Sequence, residues 1–163
     1  MRFNRLQHWL DWQLELHPTA IDLGLERPQA VWQRCDVALD QSFIISVAGT
    51  NGKGSSVAML EAILLNAGYH VGCYTSPHLI DYNERMRVNG EPLMDAAICE
   101  AFDAIDRARG DISLSYFEFG TLAALYHFAQ CGCDCVILEV GLGGRLDAVN
   151  TLDADAALIT TIG

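Results

Sequence analysis

Positive charge is scarce in this chain of 163 residues. Lysine and arginine together number 10 against 21 aspartates and glutamates, a formal net charge of −11, and the only lysine is Lys53. No basic stripe exists to neutralise a polymer of phosphates, which argues against nucleic acid and anionic membrane surfaces as partners. Long apolar runs are missing too. No stretch is long enough to span a bilayer, and Met1 to His8 lacks the uninterrupted apolar segment of a signal peptide. A cytoplasmic protein is expected. Six cysteines are present (Cys35, Cys73, Cys99, Cys131, Cys133 and Cys135), yet none shows the C-x-x-C spacing that grips zinc. The histidines are scattered and read as lacking ligand spacing with any cysteine, so free thiols are expected and no zinc site. Repeats, low-complexity tracts and linkers are lacking as well. At 51% hydrophobic and 19% charged, the chain reads as about one globular domain with a real core.

Against that background Lys53 stands out. It lies in Gly49-Thr50-Asn51-Gly52-Lys53-Gly54-Ser55, directly after the apolar run Phe43 to Ala48 and before an amphipathic stretch. Strand, glycine-rich loop and helix start in that order make a phosphate cradle. Glycines let consecutive N–H groups face phosphate oxygens, the helix offers its positive end, and the lysine adds a mobile cation. Thr50, Asn51, Gly52, Lys53, Gly54 and Ser55 are therefore candidate ATP-binding residues. The loop departs from G-x-x-x-x-G-K-[ST]: Val47 replaces the first glycine, and Gly54 stands where a hydroxyl would hold magnesium. The metal is then expected elsewhere.

Helical periodicity is read over about 4–16, with Trp9 and Trp12 as packing residues, and a helix is expected from Pro28 through Val31, Trp32, Cys35 and Leu39. The segment from Pro18 to Pro28 reads as an ordered loop. Core strands are predicted at Phe43–Ala48, Val71–Thr75, Cys135–Val140 and Ala156–Ile162, helices at Lys53–Asn66, about 95–109 and about 116–130, and a short hairpin at Asn89-Gly90. Near-continuous apolar strands separated by helices indicate an α/β fold with a parallel sheet covered on both faces. Gly163 follows the last strand with no helix after it, which leads us to expect part of a longer enzyme.

Ligands of such a sheet bind outside the carboxyl ends of its strands. Glu139, a carboxylate inside Val136-Ile137-Leu138-Glu139-Val140, is costly to bury unless paired or metal-bound. It is a magnesium candidate, with an ion pair to Arg145 as the alternative. Ser76 offers a neutral oxygen ligand. Asp147 follows the turn Gly141 to Gly144 and is placed to orient a substrate or handle a proton. Tyr116-Phe117-Glu118-Phe119 opens a helix with aromatics suited to a flat ring or to a core-facing patch.

Six segments in order, Ile21–Arg27, Gly49–Ser55, Thr75–Leu79, Glu84–Val88, Ser115–Glu118 and Glu139–Ala148, resemble the bifunctional dihydrofolate synthase/folylpolyglutamate synthase family, within the Mur ligase superfamily of ATP-dependent amide ligases. The resemblance implies a P-loop sheet of the Mur ligase central-domain type, truncated after its fourth core strand. Residues 1–42 would form a helical lead-in with a substrate loop, and 43–163 the α/β core. It further implies ATP as co-substrate, Mg2+ bound by Ser76 and Glu139, and Lys53 and Asp147 as catalytic residues. Dihydropteroate or folate would be held by Asp22, Leu23, Gly24 and Leu25, by Ser115, Tyr116, Phe117 and Glu118, and by Leu146, Asp147 and Ala148. L-glutamate would be the second substrate of a protein monomeric at full length. A further metal-binding histidine, a modified lysine and a carboxyl-terminal glutamate-binding domain would fall after Gly163. Another Mur-type amino-acid ligase and a nucleotide-binding module without catalysis remain the alternatives.

Overall fold

A computed structural model describes residues 1–19 and 22–163; Ile21, which opens the first of the six segments, lies outside the described residues. In chain order the elements are α1 (Leu6–Leu16), α2 (Glu26–Trp32), β1 (Phe43–Ala48), α3 (Lys53–Asn66), β2 (Val71–Tyr74), β3 (Met86–Val88), β4 (Glu91–Pro92), α4 (Asp95–Arg109), α5 (Tyr116–Cys131), β5 (Cys135–Glu139) and β6 (Ala156–Ile159). Short 3-10 turns at Tyr82–Arg85, Gly144–Leu146 and Ala148–Thr151 link them.

One sheet runs in the order β4-β3-β2-β5-β1-β6. β2, β5, β1 and β6 are mutually parallel, as their apolar composition predicts. β2 and β5, inside the sheet, are buried along their whole length. The expected hairpin exists, with Asn89 and Gly90 both at positive φ (53° and 84°), and β3 pairs antiparallel with β2. This antiparallel edge is an addition to the expected all-parallel sheet. Three-residue β3 is too short to show period-two alternation in the sequence.

The helix expected over 28–39 is corrected to Glu26–Trp32. Arg34 N and Cys35 N bond to the Val31 and Trp32 carbonyls, tightening and ending it, and Arg34 then reaches across to the Arg109 carbonyl. Pro28 sits in the first turn, where its missing N–H has no helical acceptor to lose.

Two apolar layers flank the sheet. On one face Val57 of α3 packs over Val47, Val71, Cys73, Cys135 and Ile137. On the other, α1, α4 and α5 build a larger core around Trp9, Phe102, Phe119, Leu122 and Phe128. Trp9 and Trp12 both meet Phe3 and Phe119 there, edge-on except for the tilted Trp9–Phe119 pair, so both are packing residues as expected. The packing is close enough to require glycine at specific points. A Cβ on Gly120 of α5 would stand 2.6 Å from Tyr82 Oη and 2.9 Å from Tyr74 Oη.

Both tyrosines are buried, and burial pushes the Tyr74 hydroxyl up to about 12. Gly120→Ala is expected to cost about 1–3 kcal/mol by overpacking. That corresponds to a fall in Tm of roughly 2–4 °C per kcal/mol; a thermal melt with unchanged Tm would contradict this packing.

Candidate functional site

The carboxyl ends of β1, β2 and β5 meet at one sheet edge. Val47 pairs with Glu139 and Tyr74 with Leu138, so the phosphate loop, the Thr75–His78 segment and Glu139 emerge at nearly one level.

Gly49 and Gly52 take φ of 135° and 84°, a backbone that other residues rarely adopt. Gly52 is the residue before α3, so the first amides of that helix, at Lys53, Gly54 and Ser55, have no acceptor within it. Their direction is what an anion needs. The Lys53 ammonium donates to the Gly49 carbonyl at 2.9 Å, folded over its own loop. The loop is braced by the residues that follow β6: Thr50 N donates to the Thr161 carbonyl (2.7 Å), and Thr160 Oγ1 to the Asn51 carbonyl (2.6 Å).

Glu139 is only 6% exposed, and its Oε2 accepts from Ser76 N at 3.1 Å. Arg145 is exposed, and no ion pair joins it to Glu139 among the described residues. The metal candidates Glu139 and Ser76 line a cavity of about 530 Å³ together with Gly54, Thr75, Glu61 and Arg87. Two hard oxygen donors beside a phosphate loop suit Mg2+, which keeps waters and takes phosphate oxygens instead of filling its shell with protein ligands. Among the described residues no cluster of three His, Cys, Asp or Glu offers an alternative metal centre. His127 and Cys131 correct one expectation: four apart on α5, they do stand together, Nε2 to Sγ 3.2 Å, but without a third ligand. All six cysteines are free thiols.

A second cavity, about 280 Å³, adjoins the first through Ser76 and Pro77. Its walls include Asp22, Leu23, Ser115, Phe117, Glu118, Asp147 and Ala148 from the expected substrate set. Gly24, Leu25, Tyr116 and Leu146 are not on that wall. Tyr116 packs edge-on against Tyr82 instead, at 5.9 Å between centroids. The aromatic start of α5 therefore divides: Phe117 faces the cavity and Phe119, two residues on, enters the core. Gly141 allows this, since a Cβ there would lie 2.8 Å from Phe117 Cζ.

The carboxylates are held, each in its own way. Arg27 bridges Asp22 (2.7 Å) and Glu118 (2.9 Å), and His17 also reaches Asp22 at 3.1 Å. Arg27 and then His17 hold the Asp22 carboxyl below the usual carboxylate range. Glu118 also accepts from Ser115 N at 2.7 Å, capping α5. Asp147, 2% exposed, accepts from Leu142 N (2.7 Å) and Val149 N (3.0 Å) and so fixes its own loop. Burial pushes its carboxyl upward, with those amide bonds opposing. Sequence reasoning passed over Arg27, Pro77, Arg85 and Leu142. Arg27 and Arg85 lay within motif segments, but their partners are distant in sequence or within a turn that has no periodic signal.

No protein-family profile matches the chain. It is 55% identical over 157 residues to the dihydrofolate synthase/folylpolyglutamate synthase of Escherichia coli, covering 96% of this chain and 37% of that protein. With the Haemophilus influenzae protein of the same name it shares 49% identity over 157 residues, covering 96% and 36%. Among solved structures, E. coli FolC in complex with DHPP and ADP superposes with a TM-score of 0.95 at 54% identity, over 98% of this chain and 39% of that one. A bifunctional folylpolyglutamate synthase/dihydrofolate synthase with Mn, AMPPNP and L-glutamate bound gives 0.89 at 53% identity, over 96% and 38%. The chain thus spans a little over a third of the length of these relatives.

The Thr75–Arg85 connection is held by one carboxylate. Glu84 accepts from the amides of Leu79 (2.7 Å), Ile80 (2.9 Å) and Asp81 (2.9 Å). These bonds hold its carboxyl below the ordinary range, the Leu79 amide contributing most. A lowered folded pKa means the restraint is present above the unfolded value and is lost as pH falls through the folded one. Hydrogen-exchange protection factors of these three amides are expected to fall across that acid window and to be low already at neutral pH in Glu84→Gln. Protection indifferent to both changes would rule out the restraint.

Proposed function

Because the chain belongs to the dihydrofolate synthase/folylpolyglutamate synthase family, we propose that it is the amino-terminal part of an ATP-dependent amide ligase joining L-glutamate to dihydropteroate and to folates. The observation that carries this reading is the juxtaposition of two cavities sharing Ser76 and Pro77, one reaching the phosphate-loop helix and one lined by Phe117, Leu23 and carboxylates. Residues 1–42 act as lead-in and substrate loop, and 43–163 as the nucleotide-binding core. The protein works in the cytoplasm as a monomer, with no nucleic acid or membrane partner; its net charge of −11 supports the last point.

A carboxylate cannot expel oxide, so it needs activation before an amine can attack. The substrate carboxylate oxygen attacks the γ-phosphorus of ATP; the new O–P bond forms as the bond to the ADP oxygen breaks, giving an acyl phosphate and ADP. The glutamate amine then adds to the carbonyl carbon, loses its proton and displaces phosphate. The loop amides and Lys53 hold the phosphates and offset charge on the transferring group, for which Lys53 must leave the Gly49 carbonyl. Magnesium held by Glu139 and Ser76 supplies Lewis-acid neutralisation of the phosphate oxygens when bound. Asp22, Leu23, Ser115, Phe117, Glu118 and Ala148 hold the pterin, Phe117 giving a flat apolar face and the carboxylates accepting ring N–H groups. Asp147 braces the turn that lines this cavity and, with its buried carboxylate on the wall, orients the substrate or handles its proton.

Dihydrofolate formation from dihydropteroate, L-glutamate, magnesium and ATP, read by mass spectrometry, tests the assignment. In the chain extended to the length of its curated relatives, Lys53→Ala is expected to lower turnover at least about a hundredfold, the scale of losing one preorganised charge-stabilising donor. Near-normal turnover would remove Lys53 from the chemistry. Nucleotide binding without any product from the extended wild type would favour a binding module. Glu139→Gln is expected to raise the magnesium concentration needed for half-maximal nucleotide affinity, followed by calorimetry across a magnesium series. An unchanged magnesium requirement would take Glu139 out of the metal site.

A further inference from the structure

Among the described residues Arg85 is the one cation on the wall of the smaller cavity, and its chemistry is not used by anything described so far. Its Nε donates to His78 Nδ1 at 2.8 Å, and its guanidinium carbon stands 5.4 Å from the Tyr82 ring centroid and 5.7 Å from that of Tyr116. Held between two aromatic faces and a histidine, the side chain is half-buried and preorganised. No carboxylate neutralises it: the ion pairs among the described residues take Arg2, Arg27, Arg87, Arg107 and Arg109, and leave Arg85 out. The carboxylates on the same wall have partners already, Asp22 and Glu118 in Arg27, Asp147 in backbone amides. A guanidinium with no carboxylate partner on a cavity wall, in a chain this acidic, suits an anion from outside, and a carboxylate fits its fork in two parallel bonds.

Position decides which carboxylate. The Arg85 carbonyl accepts from Thr75 N at 2.9 Å, which fixes this residue beside the Ser76 end of the cavity, where the nucleotide cavity begins. A ligand with its NH-rich ring toward Asp22 and Glu118 would bring its tail to that end. We propose that Arg85 binds the carboxylate of the pteroate-type substrate, the group to be phosphorylated, and holds it toward Ser76 and the phosphate loop. This rests on the folate-ligase reading above. It makes Arg85 a determinant of specificity, separating pterins that carry a benzoate from those that end in a neutral ring.

The test uses two probes, pteroate and the same pterin–aniline skeleton without its carboxylate, titrated by calorimetry into the 163-residue chain with ADP as a control. Wild type is expected to bind pteroate at least about tenfold more tightly than the decarboxylated analogue, the scale of one charge-assisted bond. Arg85→Gln should bring the two affinities within about twofold while leaving ADP affinity unchanged, and Arg85→Lys should restore part of the preference, since it returns the charge without the fork. Circular dichroism melts establish that the variants fold, and the wild-type preference can be read without them.

A wild type that does not distinguish the two probes overturns the proposal, as does an Arg85→Gln chain that keeps the full preference; in both cases the folate reading stands. A wild type that binds ADP but neither pterin overturns both.

Discussion

The parallel pairing of β1 with β5 is the constraint on which the site depends. Its register sets Val47 opposite Glu139, and the Val140 amide closes the ladder on the Val47 carbonyl. The chain then leaves β1 into the phosphate loop and leaves β5 just past a buried carboxylate, so the two meet without any loop having to find the other. A one-residue slip would turn Glu139 to the opposite face of the sheet. Such a slip is costly because the opposite face is covered by the larger apolar core, where the carboxylate would lose the Ser76 amide. Packing and chemistry are thus specified by the same five residues of β5.

Local chemistry was legible in the sequence; distant partnership was not. The phosphate loop can be read because glycine, lysine and the flanking periodicities sit within one short segment, and Glu139 because a carboxylate is out of place in an apolar strand. The end of α2 escaped detection since it is set by turn bonds and by Arg34 reaching α4, 75 residues away. The choice between a ring-binding and a core-facing aromatic patch at the start of α5 could not be made from composition, and the helix resolves it by sending Phe117 one way and Phe119 the other. The Arg145 alternative fails for a simple reason. That side chain lies on an exposed turn, while Glu139 is turned inward to the Ser76 amide.

Charge is distributed with similar economy. An acidic protein concentrates its few cations, and here Lys53 folds over the phosphate loop while Arg27 ties down two carboxylates that would otherwise face the cavity unneutralised. Backbone amides do the rest, at Asp147 and at Glu84. Such dipoles cannot be counted from composition, which is why a net charge of −11 does not by itself exclude a locally anion-attracting loop.

The Asp22–Arg27–Glu118 bridge has a consequence for how this cavity can change over generations. Glu118 both anchors Arg27 and caps α5, while Asp22 belongs to the loop that lines the cavity. Replacing Arg27 leaves two carboxylates without their shared cation, and replacing Glu118 removes the α5 cap along with the ion pair, so single substitutions at either pass through a damaged intermediate. New ligand preferences are therefore more accessible at Leu23, Leu142 or Ala148, apolar wall positions that carry no ionic partner and can drift one at a time.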